Sequence, residues 1–79
     1  MDGMDLMHAY LDLAQTFLDV AEITGFEQVA HRNCEKASHA YPTVVLWLQN
    51  AKPIGPEDQA IHEKLSKLKA RLHTVGYAV

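Results

Sequence analysis

Apolar residues recur at helical spacing in three stretches, each bounded by glycine or proline. Between Asp5 and Ile23, Leu6, Met7, Tyr10, Leu11, Leu13, Ala14, Phe17, Leu18, Val20 and Ala21 fall within one arc of about 180° on a helical wheel. Asp5, His8, Asp12, Gln15, Thr16, Asp19 and Glu22 fill the opposite half, and Ile23, at the end, breaks the division. This pattern predicts an amphipathic helix over about residues 5–24, with Asp2 or Asp5 capping its start. Thr24 and Gly25 punctuate its end, Gly25 being suited to a left-handed position.

A second helix is predicted over about residues 26–51, with Thr24 and Glu27 in the form of a capping box. Phe26, Val29, Ala30, Asn33, Cys34, Ala37, Ala40, Tyr41, Val44, Val45, Trp47, Leu48 and Ala51 share an arc of about 160°. Pro42 interrupts it. In a helix interior proline deletes one hydrogen bond and crowds the carbonyl four residues back. Pro42 projects onto the polar side, however, where the carbonyl of Ser38 can take water, and the apolar register continues across it. The reading is therefore one long helix kinked at Pro42. Two helices with a corner at Tyr41–Pro42, or a strand at Thr43–Leu48, are the alternatives.

The run Lys52-Pro53-Ile54-Gly55-Pro56 is a loop, and Pro56 opens a third helix reaching about residue 75. Its seam, Ile61, Leu65, Leu68, Leu72 and Val75, is narrow, about 80° wide. Gly76 ends it, leaving Tyr77-Ala78-Val79 as a short tail. The expected fold is all-α: a single domain forming a small three-helix bundle in up-down-up order. The wide apolar faces of the first two helices lead further, to a homodimer through those helices, with Met7, Leu11, Leu18, Asn33, Val44 and Leu48 at the dimer interface and the third helix outside. A plain monomeric bundle is the alternative. Asn33, polar within the apolar arc, is read as fixing register.

Composition adds limits. The chain has 79 residues, which suits one small domain, and below about 80 residues a single core supplies little stability, which again favours association. One cysteine makes no internal disulfide and fits a reducing, cytoplasmic setting. No apolar run is long enough to span a bilayer, and the acidic start does not resemble a secretory leader, so no membrane is expected. Charge is unevenly placed. Residues 1–31 hold six acids and no Lys or Arg, a balance of −6, whereas residues 32–79 hold seven Lys or Arg against four acids, +3. The heptad stripe Asp5, Asp12, Asp19 and the stripe Lys64, Lys67, Arg71 are complementary, within or between subunits.

Chemistry is sparse. His31, Glu35 and His39 lie four apart on one face of the second helix, beside Cys34, and are the weak candidates for metal ligands. They lack the paired ligands of zinc motifs and the two Glu-x-x-His motifs of a carboxylate di-iron bundle, so solvated side chains and no metal or other cofactor are expected. Phosphate-binding loops, nucleophile elbows and His-Glu-x-x-His are missing, which argues against an enzyme. The bases Lys64, Lys67, Lys69 and Arg71 have no interleaved aromatic residues, which makes nucleic acid an unfavoured partner. Leu46 points to the polar side of the second helix, with Trp47 beside it and His39 in line. These three residues are the candidate interface for a protein partner. The expected function is non-enzymatic protein binding by a small regulator, inhibitor or adaptor of bacterial or phage type. A helical oligomer holding a small molecule or metal between subunits is second, and a nucleic-acid accessory protein third.

Overall fold

The computed structural model describes residues 3–52 and 54–79, so the expected cap at Asp2 and the loop position of Pro53 lie outside the described residues. Three helices occupy them: α1 (Gly3–Ile23), α2 (Glu27–Ala51) and α3 (Pro56–Thr74). At about 1.5 Å per residue, the 25 residues of α2 alone account for most of the 41 Å long axis.

α2 runs unbroken through Pro42, whose side chain is exposed. The strand and corner alternatives at Tyr41–Leu48 therefore fall. The hydroxyls of Ser38 and Thr43 donate to the carbonyls of Glu35 (2.7 Å) and His39 (2.9 Å), adding local polar contacts around the break in the ladder. The start of α2 differs from the expected capping box. Phe26 is the N-cap, with no side-chain cap bond, and its N–H donates to the Thr24 hydroxyl (3.2 Å). Gly25 is likewise not left-handed: the α1 end closes by a bond from Thr24 N–H to the Val20 carbonyl (2.9 Å), and the positive-φ glycines are Gly55 (+69°) and Gly76 (+94°). Those two need glycine because a Cβ disfavours that region.

The core is built from complementary rows. α1 contributes Met7, Leu11, Ala14 and Leu18, and α3 contributes Ile61, Leu65, Leu68 and Leu72. Both follow spacings of 4, 3 and 4, so each row faces inward along its helix. α2 offers the small residues Cys34, Ala37, Ala40 and Val44, and α1 packs more closely on α2 than on α3. Met7, Leu11, Leu18 and Val44, expected at a dimer interface, are instead interior to the single chain, with at most 2% of each accessible. The physical reason is that the narrow α3 seam and the small α2 residues together close over the inner row of α1. Leu48 is half-buried against the same core, and Asn33 is half-buried with its side-chain N–H donating to its own helix at the Val29 carbonyl (2.8 Å).

The charge asymmetry is satisfied within the chain. Lys64 Nζ meets Asp12 Oδ1 at 2.9 Å, and Arg71 Nη2 meets Asp19 Oδ1 at 3.0 Å and Glu22 Oε1 at 2.9 Å. Partner numbers advance by seven on both helices, so α1 and α3 run parallel, as up-down-up order requires. Arg71 Nη1 also donates to Gln15 Oε1 at 2.6 Å. Burial works against the Arg71 charge, but hydrogen bonds to Glu22 and Asp19 more than offset it and hold the guanidinium above its ordinary pKa.

Candidate functional site

After α3 the chain turns back over α2. Gly76 N–H donates to the His73 carbonyl (3.1 Å) and Tyr77 N–H to the Leu72 carbonyl (2.9 Å), the paired bonds of a Schellman motif. The motif drives the residue after the glycine onto apolar surface, and Tyr77 and Val79 pack against the core. The Tyr77 hydroxyl lies 3.4 Å from His31 Nδ1, and His73 Nε2 lies 3.4 Å from the Val79 backbone oxygen. Burial, then the nearby Cys34 and Glu35, raise the Tyr77 phenol above its ordinary pKa of 10.0.

Tail and helix together form an open groove of about 620 Å³. Tyr41, Pro42, Val45 and Leu46 make one wall, and Tyr77, Ala78 and Val79 the other, with Ser38, His39 and Gln49 supplying polar atoms. Leu46, in the C-terminal half of α2, is 56% exposed here.

Of the three residues expected at the partner surface, the structure brings Leu46 and His39 into this groove and places Trp47 elsewhere. Trp47 is half-buried, stacked edge-to-face on Tyr10 at 5.3 Å and 86°, and lines a smaller hollow with Leu6, Met7, Asn50 and Ala51. Adjacent residues on a helix diverge by about 100°, and here the divergence sends them to different faces. The tail residues were missed as part of the site. The signal was present as Gly76 followed by a large apolar residue, the pattern of a helix stop with a return contact.

The residues weighed as metal ligands do not converge. His31 Nε2 is 3.4 Å from Glu35 Oε1, and both side chains are mostly exposed. Cys34 is buried on the core side, where burial raises its thiol above the ordinary pKa of 9.0. Among the described residues no three His, Cys, Asp or Glu side chains group so as to hold an ion. Lys64 and Arg71, part of the basic stripe, are engaged by α1 carboxylates. No helix among the described residues is long and apolar enough to cross a membrane.

Fold and groove together define a small all-α bundle with an apolar surface cleft. Compared with known protein families, curated proteins and solved structures, the chain matches none.

Proposed function

We propose that this chain is a non-enzymatic protein-binding protein, a small regulator, inhibitor or adaptor, that works as a homodimer and takes an apolar segment of a partner protein into the groove between α2 and the tail. The observation that carries the reading is the exposure of Leu46 on a groove wall that is otherwise apolar. An isolated exposed leucine needs no explanation, whereas one aligned with Pro42, Val45 and a folded-back aromatic tail forms a surface with a shape. Groove rims of this kind accept a helix or extended segment by apolar contact, with His39 and Gln49 available for orienting hydrogen bonds. The buried side chains among the described residues are all apolar, so the groove rests on a packed apolar core.

Affinity capture with the wild-type chain and with Leu46→Asp side by side tests the reading. A protein recovered by the wild type and lost with Leu46→Asp supports it. No partner, or one retained equally by both, removes it.

A further inference from the structure

α1 carries a second row, of apolar and small residues, on the side away from its core row. The inner row is the core. On the outer side Leu6, Ala9, Leu13, Thr16, Val20 and Ile23 repeat at spacings of 3, 4, 3, 4 and 3, a second heptad seam. Leu6, Leu13 and Ile23 are 46%, 49% and 82% exposed, and Ala9 and Thr16 are exposed as well. Over about 26 Å of helix this row holds no ionisable residue, whereas the next row around the helix is Asp5, Asp12 and Asp19. The single polar group, the Thr16 hydroxyl, donates to the Asp12 carbonyl (3.1 Å), so covering it strands no donor.

We propose that a second copy of this chain packs on this row, with the two α1 helices antiparallel about a two-fold axis between Leu13 and Thr16. This rests on the reading that the protein is dimeric and adds the surface and the orientation. The order of residue sizes sets the direction. Antiparallel pairing places Leu13 on Thr16 and Val20 on Ala9 of the other copy, large against small, with Leu6 and Ile23 closing each end. Parallel pairing sets leucine on leucine and leaves gaps at alanine and threonine, and such voids forfeit packing. Charge permits the contact. The two-fold brings the acidic rows of both copies to the same side, and Asp12 and Asp19 are already matched by Lys64 and Arg71 of their own chain. A contact of one helix pair, with Tyr10 and Phe17 at its edge, lies at the small end of specific interfaces, so a micromolar, concentration-dependent dimer is expected.

Sedimentation equilibrium from micromolar to millimolar chain, on the wild type and on Leu13→Glu and Thr16→Glu, is the first measurement. The expected result is a wild-type dimer, with self-association weakened about thirtyfold or more in both variants while their melting curves stay cooperative. Using two variants keeps the test valid if one misfolds. The second measurement is disulfide formation under mild oxidation in Leu13→Cys and Leu6→Cys. Antiparallel pairing leaves the two copies of residue 13 offset by about 4.5 Å along the axis, and those of residue 6 by about 26 Å. Leu13→Cys should therefore cross-link and Leu6→Cys should not, with the buried Cys34 of the wild type as the control. A wild type that is monomeric throughout overturns this proposal together with the dimeric reading. A dimer that neither glutamate weakens overturns the surface alone. A dimer in which Leu6→Cys cross-links as fast as Leu13→Cys overturns the orientation.

Discussion

Replacing Arg71 with methionine isolates what holds α3 in register on α1. The guanidinium reaches Gln15 Oε1 at 2.6 Å, Glu22 at 2.9 Å and Asp19 at 3.0 Å. Methionine keeps most of the apolar stem, so the loss is chiefly polar. The Arg71 side chain is 29% exposed but its carboxylate partners are 65% and 63% exposed, so solvent screening governs the ion pairs. Exposed pairs contribute about 0.2–1 kcal/mol each, and two that share one cation add less than twice that. The bond to Gln15 adds about 1 kcal/mol. Arg71→Met should therefore cost about 1–2 kcal/mol, which for a domain of this size lowers Tm by about 4–16 °C. Thermal and urea melts followed by circular dichroism measure it. Raising salt from about 0.1 M to about 1 M shortens the screening length from about 10 Å to about 3 Å and should shrink the difference from wild type. In an Asp19→Asn, Glu22→Gln background the substitution should cost clearly less than in the wild type. A loss that ignores both salt and the missing acids would show that Arg71 acts through its stem, and that charge matching does not set the α1–α3 register.

Pro42→Ala should restore the N–H bond to the Ser38 carbonyl and stabilise the chain by about 1–3 kcal/mol, read as a higher urea midpoint, because an interior proline costs about 3 kcal/mol against alanine. A lower midpoint would mean that the α2 geometry at Pro42 is required by the packing around it. Burial raises the Cys34 thiol above its ordinary pKa of 9.0, so the folded state keeps the proton longer than the unfolded state. Its contribution is complete below pH 9.0 and is lost as the pH rises towards the folded-state value, so Tm should fall above pH 9.0. Cys34→Ala should flatten that decline, and an unchanged slope in the variant would refute the assignment.

Much of this architecture was legible in the residues. The 4, 3, 4 spacing of Met7, Leu11, Ala14 and Leu18, and of Ile61, Leu65, Leu68 and Leu72, is a direct print of helical geometry, and each row became a wall of the core. The placement of Pro42 on the polar side of the wheel was enough to carry α2 through it, because a lost hydrogen bond facing water is tolerated. The acidic and basic stripes declared a pairing, though not whether it lay within one chain. Other features depend on what tertiary contacts do to adjacent residues. Leu46 and Trp47 are neighbours in the chain yet serve different faces, since Tyr10 supplies Trp47 with a partner from another helix. The width of the α1 apolar arc suggested that the inner row needed a second copy, whereas Ala37 and Ala40 let α1 approach α2 closely enough for one chain to bury it. The tail looked inert because three residues carry no periodicity, and its place follows from a backbone motif at Gly76.

The most direct test of protein binding through the α2 groove is a calorimetric titration of a partner recovered by capture, with wild-type chain and with Leu46→Asp. A charge set at the centre of a binding surface costs about 2 kcal/mol or more, which raises Kd about thirtyfold or more. The same substitution on an exposed position should leave folding stability within about ±0.5 kcal/mol and the molecular mass in solution unchanged. Binding through the groove requires these results together: lost affinity, an unshifted melting temperature and an unshifted mass. A partner that binds Leu46→Asp as tightly as the wild type would contradict it, as would a variant that unfolds or changes its oligomeric state.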